Sequence, residues 1–250
     1  MTTSERRIDH WNSQRQIFVE IVREGFQGYA SSLPDIARAF VLQDRSLRCI
    51  DEGTSGGVHA AGSGILMAEP RAIVMLRRAG LDGIYSHAGC GAAALYAERQ
   101  SLDVSKSDEY GQAWAKRIAE RLGVPYRGHI TREQMKRPAE FHIARVAYYD
   151  ATGRFDPSRV HGLPPGFVIS RGILDQKDAL QEVDLSISIA MGDHGFGKLI
   201  TPDEPFYIVA VSDPDNPSFS VDVLRRELAA AVARGAGRVK LELFTPERAL

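Results

Sequence analysis

Residues 8–28 carry Trp11, Phe18, Ile21, Val22 and Phe26 at helical spacing, which predicts an amphipathic helix at the start of the chain. A second, short helix is expected in "SSLPDIARAFVLQ", with Pro34 in its first turn. The apolar runs then shorten and alternate in type. "SLRCIDEG" reads as a buried strand closed by a glycine, "GGVHAAGSG" as a shorter strand, and "EPRAIVMLRRAGL" as a helix. "DGIYSH" is a third strand, followed directly by a helix opening at "CGAAALYAERQ" and by another at "YGQAWAKRIAERLG". Strand and helix alternate, so the pattern predicts an α/β fold: a mostly parallel central sheet flanked by helices.

The second half reads as richer in strands. "ARVAYYDATGRF" is expected to be a strand and hairpin turning at "ATG". "LSISIAMG", "PFYIVAVS" and "GRVKLELF" are further strand candidates, and "SVDVLRRELAAAVARG" is a helix. No internal repeat or low-complexity linker is visible. The expectation is one domain over residues 1–250, with a helical arm at 1–40 and an elaborated C-terminal half from 157 onward.

Composition narrows the function classes. The chain has 250 residues, 44% hydrophobic and 25% charged, enough for a substantial core. A formal net charge of -1 gives no general attraction to nucleic acid or anionic membranes. "MTTSERRIDH" does not resemble a targeting segment, and no apolar run reaches bilayer length. With only two cysteines no disulfide framework exists, and a cytoplasmic location with free thiols is expected.

Those two cysteines carry the candidate chemistry. In a strand Cys49 and Asp51 point to one face, with Arg48, Ile50 and Glu52 on the other. His87 lies at the carboxyl end of the third strand and Cys90 in the first turn of the next helix, at the edge where open α/β sheets bind ligands. The thiols have three readings: inert core residues, a redox pair, or metal ligands. If the first and third strands are neighbours, two thiolates and one imidazole converge in a set that suits zinc, with a fourth position left for water or substrate. The helix N-terminus at Cys90 favours its thiolate.

"C-I-D" followed by "H-A-G-C-G" resembles the zinc motif of the β-class carbonic anhydrases, Cys-x-Asp-Ser-Arg followed by His-x-x-Cys-Gly. "GVHAAGSG" is similar to that family's Arg-x-Ala-Gly-Asn strand, and "AYYDATGRF" to its late strand and turn. The likeness covers about residues 42–155. It implies zinc held by Cys49, His87 and Cys90, reversible hydration of carbon dioxide to bicarbonate by metal-activated water, and Asp51 as the carboxylate that orients the attacking hydroxide. It implies Gly91 and His59 as groups beside the substrate, and a homodimer or higher homo-oligomer. In a dimer the stripe of Trp11, Phe18 and Phe26 packs either on its own sheet or on a second subunit.

One departure cuts into this reading. The family's aspartate is held off the metal by an arginine two residues later, and here that position is Gly53. Either Asp51 swings onto zinc as a fourth ligand and closes the site, or another group restrains it. Arg48 faces the wrong way, and the nearest candidates are Glu52 and His59. The closed form would make the chain a non-catalytic zinc-binding relative. Hydrolysis of carbonyl sulfide or carbon disulfide is a further alternative.

Two other signals carry less. "GDHGFGKL" has the glycine spacing of a phosphate-binding loop, but Leu199 replaces the magnesium-binding hydroxyl and Pro202 and Pro205 preclude the required helix. It reads as a glycine-rich turn between strands. His129, His142, His161 and His194 read as solvated histidines, and Tyr85, Tyr96, Tyr148 and Tyr149 as packing residues.

Overall fold

The computed structural model describes residues 1–247. Its strands form two four-stranded parallel sheets instead of one central sheet. The first contains β1 (Ser46–Arg48), β2 (Val58–His59), β3 (Gly83–His87) and β4 (Tyr126–Ile130), in the order β2-β1-β3-β4. The second contains β5 (Val146–Asp150), β6 (Gly166–Ile169), β7 (Phe206–Val211) and β8 (Val239–Phe244), in the order β6-β5-β7-β8. Each half therefore lays down its strands in the same sequence of positions, a topological repeat that the residues do not reveal.

The edge strands β2 and β6 bring the sheets together. Ser170 N–H donates to the His59 carbonyl at 3.2 Å and Val168 N–H to the Ile50 carbonyl at 3.1 Å. A single apolar cluster runs through both halves, from Leu47 and Ile84 to Phe167, Ile208 and Leu228.

Seven α-helices cover these layers among the described residues: α1 (Thr3–Ser13), α2 (Arg15–Ser31), α3 (Glu69–Arg78), α4 (Gly91–Arg99), α5 (Ser107–Leu122), α6 (Gln176–Met191) and α7 (Val221–Arg234). The second sheet is buried on both faces, because alternate residues of each strand meet different partners. Val146, Tyr148 and Val209 pack with Phe18, Ile21 and Phe26 of α2. Ala147, Tyr149 and Ile208 pack with residues of α6 and α7.

The leading helix is split at Gln14 and kinked at Gly25, whose φ is +69°. Its stripe turns inward: Trp11, Phe18 and Phe26 are buried in the chain itself. The second predicted helix is only a 3-10 turn, Ile36–Phe40.

Three other expectations are corrected. "LSISIAM" is the last part of α6, where Glu182, Val183, Ser186 and Ala190 are buried at helical spacing. Its apparent alternation arises because Leu185 and Ile189 are half-buried on one flank of the buried stripe and Ile187 on the other. The "ATG" turn joins no hairpin, since β5 pairs in parallel with β6 and β7. The C-terminal half, over residues 157–247, does not elaborate a single sheet; β6, β7 and β8 complete a sheet of their own around β5.

Candidate metal centre

The sequence turns out of β1 immediately after Arg48, so Cys49 leaves the strand at its carboxyl end. β1 pairs with β3, which delivers His87 at its own last residue. The chain then makes a tight turn and enters α4 with Cys90 as the N-cap. The ligand atoms of Cys49, His87 and Cys90 lie within 4.8 Å of one another, and all three residues are buried. This group can hold a metal ion.

The geometry fits a small tetrahedral cation. The two sulfurs are 4.0 Å apart, and zinc–sulfur bonds of about 2.3 Å at tetrahedral angles would set them about 3.8 Å apart. The His87 ring is oriented by Nδ1, which donates to the Ala88 carbonyl at 3.0 Å. That leaves Nε2 buried and without a partner, the arrangement a metal-binding imidazole requires. Gly62 N–H donates to Cys49 Sγ at 3.2 Å.

The charges of the three groups depend on one another. The Cys90 thiol is lowered by its hydrogen bond with Cys49, against burial, and then by the backbone N–H groups of Ala93 and Ala92 at the start of α4. The Cys49 thiol is pushed well up by Cys90 and by burial. Burial works against a charged His87, yet the neighbouring Cys49 and Asp51 raise it to about 9.

The restraint on Asp51 comes from neither Glu52 nor His59. Arg137, in the loop after β4, grips the carboxylate with both arms: Nε donates to Oδ1 at 2.7 Å and Nη2 to Oδ2 at 2.7 Å. Gly53 N–H adds a third bond to Oδ1 at 2.8 Å. Burial opposes the charge on Asp51, but Arg137 and then His142 hold its carboxyl well below the usual range. Gly53 has a steric reason. A Cβ there would stand 2.7 Å from Met135 Cε and 3.0 Å from Arg137 Cγ. The position that lacks an arginine is the space through which a distant arginine enters.

Glu52 anchors the same loop. Its Oε1 accepts from Ile143 N–H at 2.7 Å and its Oε2 pairs with His142 Nδ1 at 2.8 Å. His142 is buried, not solvated, and Glu52 and then Asp51 raise its pKa against the effect of burial. Asp51, Glu52 and His142 thus form a cluster of their own beside Cys49, His87 and Cys90. Arg48, as parity predicts, turns away and stacks over Tyr85.

His59 packs against the Cys49 backbone and, with Asp51 and Glu52, lines a cavity of about 290 Å3. Its Nδ1 is 2.6 Å from the Cys49 carbonyl, and burial keeps the ring's pKa low. The ring therefore buttresses the ligand's peptide. Gly91 opens onto a cavity of about 250 Å3 whose wall includes Cys90, Arg137, Phe141, His142 and Ile189. Ile189 belongs to α6, so the C-terminal half supplies part of this wall.

Arg137 escapes a reading of the sequence because 86 residues separate it from Asp51. The only signal is indirect: a missing arginine at Gly53 asks for a replacement somewhere. The glycine-rich segment of residues 192–199 joins α6 to β7, and the His194 carbonyl accepts from His142 N–H at 2.7 Å. It is neither a turn between strands nor a strand–loop–helix unit. Comparison of the chain with models of protein families, with curated proteins and with solved structures gave no match.

Proposed function

We propose that Cys49, His87 and Cys90 bind one zinc ion and that the chain hydrates carbon dioxide reversibly to bicarbonate. The resemblance of the zinc motif to β-class carbonic anhydrases supports this reading. The observation that carries it is the Arg137–Asp51 fork. Zinc, when bound, supplies a Lewis acid that brings the pKa of water toward neutrality.

Asp51 stays ionised because Arg137 faces both its oxygens, and it stays off the metal because the same fork fixes its orientation. Oδ1 already accepts two hydrogen bonds, from Arg137 and Gly53, whereas Oδ2 accepts one from Arg137. A carboxylate has about four acceptor positions, so Oδ2 can take a further bond from the O–H of an attacking water. It can only accept, which sets the direction of that O–H. The cavity beside Cys90 offers Ala94, Phe141 and Ile189 to a small, linear, uncharged substrate.

A closed, structural zinc site needs Asp51 as the fourth ligand. The fork disfavours it, because releasing Arg137 would leave a buried guanidinium unpaired, at a cost of about 3–5 kcal/mol.

Stopped-flow hydration of carbon dioxide across pH tests the proposal. The zinc-loaded wild type turns over, and Asp51→Asn and Arg137→Gln each lose at least about tenfold in rate while keeping their zinc. Full zinc with no hydration even at alkaline pH would remove the catalytic reading and leave a binding or structural role.

A further inference from the structure

Arg145 is the largest fully buried side chain among the described residues, 1% exposed. It sits just before β5, far from the metal-ligating residues in role, and nothing in the proposed chemistry uses it. Its guanidinium lies between two aromatic rings, 3.5 Å from the centroid of Trp11 and 3.9 Å from that of Phe18. The faces of the cation are thus satisfied. Its edge is not: Nε and Nη1 are buried without a hydrogen-bond partner. No carboxylate forms an ion pair with it among the described residues. A buried guanidinium with unused in-plane donors lacks the hydrogen-bonded partner that ordinarily justifies its burial, and Glu204 acts on its charge only from a distance.

The residue lines a cavity of about 320 Å3 between α2 and the loop before β7. Phe18, Val22, Pro205 and Tyr207 give it apolar walls, and Arg15 adds a second cation. Asp203 and Glu204 also line it, both exposed. Burial lowers the Arg145 pKa to about 10, which leaves the group cationic at neutral pH.

We propose that this cavity is a binding site for a small carboxylate-type anion, held edge-on by the guanidinium of Arg145 between Trp11 and Phe18. Nε and Nη1 lie on different edges of the guanidinium, and Nη2 completes each edge; such a two-donor edge matches the two oxygens of a planar carboxylate or bicarbonate better than a spherical ion. The acidic pair would in addition favour a ligand that carries an ammonium group, such as an α-amino acid. The site is independent of the metal centre and is expected in metal-free protein as well.

The test is a titration of the full chain, at constant ionic strength, with acetate, bicarbonate or alanine, and with chloride as the control. Trp11 reports directly, because its ring covers the guanidinium, and calorimetry provides the second readout. The expected result is saturable binding of at least one of the three carboxylate-type probes and none of chloride. The tightest probe identifies the source: alanine an amino acid, acetate a simple carboxylate, bicarbonate the product of the proposed reaction. Arg145→Lys keeps the charge but loses the fork and should weaken binding at least about tenfold. Arg145→Met should abolish it, and if that variant fails to fold the lysine variant decides. No saturable response up to about 100 mM, or equal binding by Arg145→Lys, would overturn the proposal and leave Arg145 as a hydrated structural cation.

Discussion

Gly53 shows how a single missing side chain can organise a site. Its absent Cβ is the room occupied by Met135 and Arg137, and its N–H is one of the three donors to Asp51. Gly53→Ala makes the Met135 methyl move aside and Arg137 Cγ give slightly, and overpacking of this kind costs about 1 kcal/mol. The expected outcome is a lower denaturation midpoint with a looser Arg137–Asp51 contact, read by chemical denaturation and by the hydration rate together. An alanine variant as stable and active as the wild type would mean that the loop can shift without cost. The sequence shows His87 and Cys90 because they stand three residues apart, and Cys49 because it stands two residues before Asp51 in a recognisable motif. It hides Arg137 because a fork between side chains 86 residues apart leaves no pattern in either segment.

At the scale of elements, α6 is the informative case. Its run of alternating apolar and polar residues resembles a strand, yet the segment is helical and lies against both halves of the molecule. Such a helix buries polar groups as well. Glu182 is 5% exposed; its Oε1 accepts Ala61 N–H at 2.8 Å and its Oε2 is unpartnered. Burial pushes its carboxyl well above the ordinary value, with the Ala61 bond opposing. The folded state thus holds a proton that the unfolded state releases first, so stability falls as pH rises above the usual carboxylate range. Glu182→Gln removes that titration. Its stability should vary less between about pH 5 and pH 8 than that of the wild type, with the gain at the upper end, as measured by thermal unfolding of the zinc-loaded protein. An unchanged pH slope would show that Glu182 is ionised in the folded state. β4 and β6 escaped the pattern for a different reason: β4 is half-exposed and polar, and β6 is four residues long behind two prolines.

At the scale of the whole molecule, the alternation of strands and helices was enough to indicate parallel α/β architecture but not its division into two sheets. That division depends on which strand pairs with which. The repeated order is carried by backbone hydrogen bonds, and the two sheets differ in exposure: the second is covered on both faces, while β4 of the first keeps a half-exposed surface. Division of labour follows from it. The first half supplies the three residues that could hold a metal ion and the second supplies part of the cavity wall, through Ile189 of α6. The helical arm packs Phe18 and Phe26 on the chain's own second sheet and Trp11 on Phe196, so its aromatic stripe offers no argument for a second subunit. Among the described residues no helix is long and apolar enough to cross a membrane.

Elemental analysis of the purified, zinc-reconstituted protein addresses the centre most directly. One zinc per chain in the wild type, lost in Cys90→Ser while the fold persists by circular dichroism, is the predicted result. A wild type that retains no metal, or a Cys90→Ser variant that retains as much as the wild type, would contradict it.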